Sequence, residues 1–252
     1  ESLSSLLAGV IITIVFLIFR ALFAVTPYGN ATDCIYTIIQ TPLQSLTGNL
    51  PAFIIIILIA QLLWFFGIHG SMTVLPILFP IWLSYIGDNT AAMAAGKTIP
   101  HVLNIGLWDL ANLGGSGATI GLVILMFFKA KSNQYKSFGK LTLPCGIFSV
   151  NEPVIFGLPV ILNPIMLIPF IICPIVLVCL GYALIQFGIV TAPIGILGLG
   201  SMPPLISGIM QGSLSWGIYQ LVAVVISIII YYPFFKTIDN QALAKEKGEQ
   251  GE

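Results

Sequence analysis

Charge is what this sequence has least of. Of 252 residues, nine are Lys or Arg and nine are Asp or Glu, 7% in all, where an ordinary soluble protein carries roughly 25%. That is too little to coat a water-facing surface, and it excludes a soluble globular domain and a disordered tail. The formal net charge is zero, so the chain lacks the basic face that a nucleic-acid binder needs. Its two histidines, His69 and His101, stand too far apart in sequence to form a ligand set; neither a metal nor a cofactor is expected. Four cysteines, Cys34, Cys145, Cys173 and Cys179, form no CxxC pair and read as buried, inert thiols rather than a disulfide framework.

What is abundant is apolar. Hydrophobic residues make up 58% of the chain and the mean hydropathy is +1.05, which points to an all-α polytopic membrane protein. A span takes about 20 apolar residues, so this length allows at most about eight. Residues 3–25 form one apolar run, too long for a signal-peptide core. The chain opens on Glu1 without a basic leader, and both features read as a piece of something longer. Residues 30–49 place Ile35, Ile38, Ile39 and Leu43 at helical spacing among polar residues, the pattern of an amphipathic helix on the membrane surface. Residues 50–66 read as a second span. Residues 72–86 are short and carry Pro76 and Pro80, which suggests a re-entrant hairpin. Residues 118–128 read as the end of a span that begins earlier.

Orientation follows from lysine. Lys129, Lys131, Lys136 and Lys140 lie close together without an acid between them, and Lys236, Lys245 and Lys247 mark the C-terminal tail. Both regions are expected to be cytoplasmic. An even number of crossings must then lie between them, and 164–187 and 214–235 supply two. The Pro- and Gly-rich pieces 141–163 and 189–212 are left as non-spanning or hairpin segments, of the kind transporters use to build a midplane site.

Internal acids reduce to Asp33, Asp88, Asp109 and Glu152. Glu152 is flanked by long apolar runs, and a carboxylate at membrane depth is a functional candidate by default. Pro153 follows it and favours a first helical turn, with Asn151 as a possible cap. Burial there opposes the charge while a helix N-terminus favours it; a structural glutamate bonded to backbone N–H groups or to a lysine is the alternative. His69 lies between Gly67 and Gly70, where close approach is possible and an imidazole can donate to or accept from a sugar hydroxyl; a core histidine bonded to a carbonyl is the alternative. His101 and Asp109 read as solvated or supporting residues. Gly114-Gly115-Ser116-Gly117 lacks the lysine of a P-loop and reads as a close-packed helix entrance with exposed backbone N–H groups. Trp64, Trp82, Trp108 and Trp216 fall near span ends, the place of interface anchors, although one or two could stack on a sugar.

The run Asn151-Glu152-Pro153-Val154-Ile155-Phe156-Gly157-Leu158-Pro159 resembles the signature of the membrane (EIIC) component of bacterial sugar phosphotransferase systems, in the lactose/cellobiose/chitobiose branch. Gly67-Ile68-His69-Gly70 and the block from Asn112 to Thr119 resemble further family blocks in the family's order, and the likeness covers essentially the whole chain. The resemblance implies a multi-pass permease of the bacterial inner membrane. It would bind a disaccharide such as cellobiose, lactose or chitobiose, translocate it, and present a hydroxyl to the phosphocysteine of a cytoplasmic B component. The phosphoryl donor would therefore sit on a partner protein. It also implies an N-terminal dimerisation part whose last span is residues 1–29, an interfacial helix at 30–49, a transport part at 50–238 with re-entrant hairpins, and a cytoplasmic tail at 239–252. Membrane lipid and, in the full-length form, a second copy are the other expected partners. Carried over by motif, Glu152 and His69 would flank the accepting hydroxyl, and Asn151 would bind other hydroxyls. An ion-coupled sugar carrier without phosphorylation, or a non-transporting fragment, are the competing readings.

Overall fold

The computed structural model describes residues 2–30, 34, 48–158 and 160–249, all-helical and without a strand among them. The surface helix expected at 30–49 lies almost wholly outside the described residues. Two compact bodies, Glu1–Thr47 and Gly48–Glu252, are distinguished. The first contains α1 (Ser2–Ala24), apolar on every side. Val10, Phe16 and Leu22 among others are exposed along it, as on a helix whose surroundings are lipid or other apolar helices.

The second body begins with α2 (Leu50–Phe65), where Asn49 accepts the Ala52 N–H and Pro51 occupies the first turn. It ends because Gly67 adopts φ +80°, letting the Ile68 N–H reach the Leu63 carbonyl and the Gly67 N–H reach Trp64. Immediately beyond, α3 (Gly70–Ala94) starts at His69. A side chain at Gly70 would overlap the Ala60 carbonyl, so the corner between α2 and α3 closes only around a glycine. The glycines flanking His69 thus serve the backbone corner.

α3 corrects one expectation. Residues 72–86 are no hairpin: they belong to a continuous helix of 25 residues. Pro76 and Pro80 are four apart, so the hydrogen bonds they remove lie on one side of the helix, which can bend there without ending. α3, Pro164–Gln186 and Leu214–Gly248 are long and apolar enough to cross a membrane.

Next comes α4 (Ile105–Ala111), capped by Asn104. The glycine-rich turn separates it from α5 (Ile120–Lys129), so the expected longer span is interrupted at Gly114, Gly115 and Gly117, all at positive φ. α5 and α6 (Asn133–Ile147) pack as a helical hairpin. Gly139 permits the approach: a Cβ there would lie 2.6 Å from the Met126 carbonyl carbon. α7 (Glu152–Gly157) is a single short piece. α8 (Pro164–Gln186) runs from the Asn163 cap through the core.

Residues 187–213 stay irregular apart from a 3-10 turn (Leu199–Ser201) and α9 (Ile206–Met210). Buried Gln211 holds this stretch, accepting from the Gly195 and Ile196 N–H groups (2.9 Å each) and donating to the Ile196 carbonyl. α10 (Leu214–Glu249) then continues well past residue 235, through the segment expected to be a separate tail. It packs on α5 and α8. All four tryptophans are buried, so none is an interface anchor. Of the cysteines only Cys173 is buried; Cys34, Cys145 and Cys179 are partly exposed.

Candidate functional site

Three chain segments that end or begin helices meet at one cleft of about 210 Å³. The first is the α2–α3 corner. His69 is the N-cap of α3, and its Nδ1 accepts the Met72 N–H at 3.1 Å. With Nδ1 engaged as an acceptor, neutral His69 carries its proton on Nε2. That nitrogen faces Glu152 Oε1 at 3.5 Å. The Trp64 ring lies against the imidazole, centroids 4.2 Å apart, and fixes its plane.

The second segment leads into α7. Glu152 is the first residue of that helix, as its neighbouring proline suggested, with its side chain 47% exposed. Among the described residues no lysine or arginine lines the cleft, and the side chain that Glu152 faces is His69. Asn151 does not cap α7 with its side chain. It is buried, and its amide donates to the Ser116 carbonyl (2.7 Å) and the Thr119 hydroxyl (2.9 Å). Both amide hydrogens are therefore committed to the glycine turn, and Asn151 lines the cleft as a brace across it.

The glycine turn is the third segment. A methyl at Gly115 would overlap the Asn151 side chain, and one at Gly117 the Phe170 ring. Three of the turn's amides are occupied: Gly114 N–H donates to Ser149 Oγ, Gly115 N–H to the Asn112 carbonyl and Ala118 N–H to the Gly115 carbonyl. Its carbonyls are held from afar, Gly117 by the Tyr231 hydroxyl at 2.7 Å and Ala118 by Ser227 at 2.6 Å. A phosphate cradle needs its amides turned together toward the ligand, whereas three of these hold the turn itself.

One residue is more than the sequence suggested. Asp109 of α4 lines the cleft, and its Oδ2 is buried with no hydrogen-bond partner among the described residues. Gly200 packs directly on that carboxyl. Ser71 and Ser116, 3.0 Å apart, add hydroxyls to the same wall. Position three residues before Asn112 was the available signal for Asp109, but only the fold shows that this side chain turns inward. His101 lies elsewhere, 3.0 Å from Asp88 and stacked on Tyr85. The cleft thus offers the Glu152 carboxyl beside an imidazole N–H, the Asp109 carboxyl and two hydroxyls, a set suited to a neutral polyol.

The family described as "Phosphotransferase system, EIIC" matches residues 1–174. The chain is 38% identical over 238 residues to the lichenan permease IIC component of Bacillus subtilis (strain 168), covering 92% of this chain and 53% of that one. It is 36% identical over 254 residues to the cellobiose-specific EIIC component of Geobacillus stearothermophilus, covering 99% of this chain and 56% of the other. Among solved structures, the transporter ChbC, the IIC component from the N,N'-diacetylchitobiose-specific phosphotransferase system, superposes with a TM-score of 0.84 at 38% identity, covering 98% of this chain and 58% of ChbC. The chain spans about half the length of the curated relatives it matches.

Proposed function

The chain belongs to the phosphotransferase-system EIIC family, and from that premise we propose that it is the sugar-binding, transport part of a disaccharide permease in a bacterial inner membrane. Its substrate class is a disaccharide of the cellobiose, lactose or chitobiose kind, in keeping with the names its relatives carry. The full-length protein works as a dimer with a phosphorylated cytoplasmic B component. The observation that carries the reading is the His69–Glu152 pair, 3.5 Å apart at the cleft.

The tautomer of His69 supports one division of roles. His69 Nε2–H donates, and so orients the sugar hydroxyl or Glu152; it cannot accept a proton there while Nδ1 holds the Met72 amide. Glu152 is left as the acceptor. In the transfer step the S–P bond of the partner's phosphocysteine breaks and the sugar oxygen forms the new O–P bond. The hydroxyl proton passes to the Glu152 carboxylate, and the cysteine leaves as thiolate. Because such transition states are loose, alignment and electrostatics supply most of the acceleration, with a positioned base adding roughly 10²–10⁴-fold. Asp109 binds a further sugar hydroxyl. The lysines from Lys129 to Lys140 form the docking face for the B component.

Labelled cellobiose is to be supplied to vesicles containing the full-length protein, with phosphorylated B component on the cytoplasmic side. Phospho-sugar should accumulate, and Glu152→Gln should abolish it while sugar binding persists. Asp109→Asn, which keeps a hydrogen-bonding side chain of the same shape, should bind sugar better than Asp109→Ala. Accumulation of unmodified sugar driven by a proton gradient would reverse the reading and make Glu152 an ion-coupling site.

A further inference from the structure

The far end of the α5–α6 hairpin is fastened by two carboxylates that the proposed chemistry does not use. Asp239, buried on α10, accepts from the Lys131 N–H (2.8 Å), the Ser132 N–H (3.1 Å) and the Ser132 hydroxyl (2.8 Å). Seven residues on, Glu246 accepts from the Asn133 N–H (3.1 Å) and the Gln134 N–H (2.9 Å). Ser132 completes the cap by accepting the Tyr135 N–H at 3.2 Å. Residues 239 and 246 share one helix face, two turns apart. Together with Ser132 they satisfy the backbone donors that a helix N-terminus leaves open, and they place negative charge where the α6 dipole favours it.

The hairpin's legs give this clamp its reach. α5 leads back from the tip, about 15 Å, to the glycine turn, while α6 leads back to Ser149, Asn151 and Glu152. The legs are packed without slack. Gly139 seats α6 on the Met126 backbone, and a Cβ at Gly121 would overlap the Ser227–Ile228 backbone of α10. A rigid lever fastened at its tip transmits that fastening to the segments at its base.

We propose that Asp239 and Glu246 are positioning residues: by clamping the hairpin tip to α10 they fix the 112–119 and 149–152 segments and so hold Glu152 against His69. The inference rests on the reading of Glu152 as the base. It also explains why α10 stays helical to Glu249, well beyond the apolar part of the helix.

The test uses the full-length permease with phosphorylated B component and cellobiose, comparing wild type with Asp239→Asn, Glu246→Gln and the double variant. Hydrogen exchange is followed at 112–121 and at 131–134. The double variant should lower kcat about 10- to 100-fold, the scale of a small misplacement of reacting groups, with any rise in KM for the B component, which docks at the same tip, the smaller effect. Exchange should rise at the tip and also in the glycine turn. If the double variant fails to fold, Glu246→Gln, whose side chain is partly exposed, should show the same pattern at smaller amplitude. Faster exchange confined to 131–134 with unchanged kcat would overturn the proposal and leave a simple helix cap. A rise in KM for the B component with kcat unchanged would also overturn it, in favour of a docking role. Should wild type pass on no phosphoryl group, the base reading fails, while the exchange data still judge whether the tip controls the turn.

Discussion

The cleft has two glycine-bearing walls, and they are held in opposite ways. The α2–α3 corner is tied by its own neighbours: Gly67 ends one helix, His69 caps the next, and the bonds span three to five residues. The glycine turn is tied by strangers: Tyr231 and Ser227 from α10, and Ser149 and Asn151 from the approach to α7, over sequence separations of 32 to 114 residues. The first wall is therefore a local device that carries a chemical group. The second is a tertiary device that keeps two distant helices and the Glu152 segment in register. Damage to the second should spread through the body, and damage to the first should stay where it is made.

The largest effect is expected at Gly115. Gly115→Ala adds a methyl into the Asn151 side chain and asks for φ +99° from a residue that resists it. Overpacking costs about 1–3 kcal/mol and the left-handed backbone about 1–2 kcal/mol. Melting in detergent should fall by roughly 10 °C, at a few degrees per kcal/mol, and sugar binding should go with it, since Asn151 and Glu152 are adjacent. An unchanged melting point would show that the turn is looser than its contacts imply.

His69→Asn sharpens the contrast from the other side. Asparagine is among the best N-caps, so the corner should close and melting should stay within a degree or two. What disappears is the Nε2–H facing Glu152. Phosphorylation should drop about 100-fold or more, about 2.7 kcal/mol of barrier. If melting falls instead and activity per folded molecule is kept, the imidazole is structural and the local wall carries no chemistry.

These two walls also separate what a single sequence discloses from what it hides. The apolar runs placed most of the long helices, and Pro153 placed Glu152 at the start of a short one, because both signals are local. α3 was misread because prolines were weighed singly, when their four-residue spacing is what lets the helix continue. Asn151 reads from the sequence as a possible cap of α7, yet its amide goes to Ser116 and Thr119, 35 and 32 residues away, a destination that no spacing rule contains. The same holds for Asp109, whose burial depends on α4 packing under the 3-10 turn at Gly200, and for Asp239, which looked like part of a solvated tail.

Ser227 tests the tertiary wall more gently. Its hydroxyl donates to the Ala118 carbonyl and accepts the Gly121 N–H at 3.1 Å, both buried. Ser227→Ala leaves two backbone groups without that partner at no steric cost, which should destabilise the body by about 1–3 kcal/mol. Because the groups belong to the turn, exchange at Gly121 should rise before exchange in α2 does.

The smallest effect is expected at Gly67. Its φ is +80°, but the space around it is open, the nearest atom to an added Cβ being Ile161 Cγ2 at 3.9 Å. Gly67→Ala therefore meets only the backbone penalty, about 1 kcal/mol, worth a few degrees of melting. The His69 cap bond and the Gly70 seat on Ala60 lie on the far side of the corner and are not displaced by that methyl, so phosphorylation should be kept within about twofold. The pair Gly67→Ala and Gly115→Ala thus carries the whole comparison: similar backbone strain, one methyl each, and a large difference only where distant elements converge. Equal losses at the two positions would mean that the corner is as deeply coupled to the rest of the body as the turn, and that the distinction between a local and a tertiary wall does not hold.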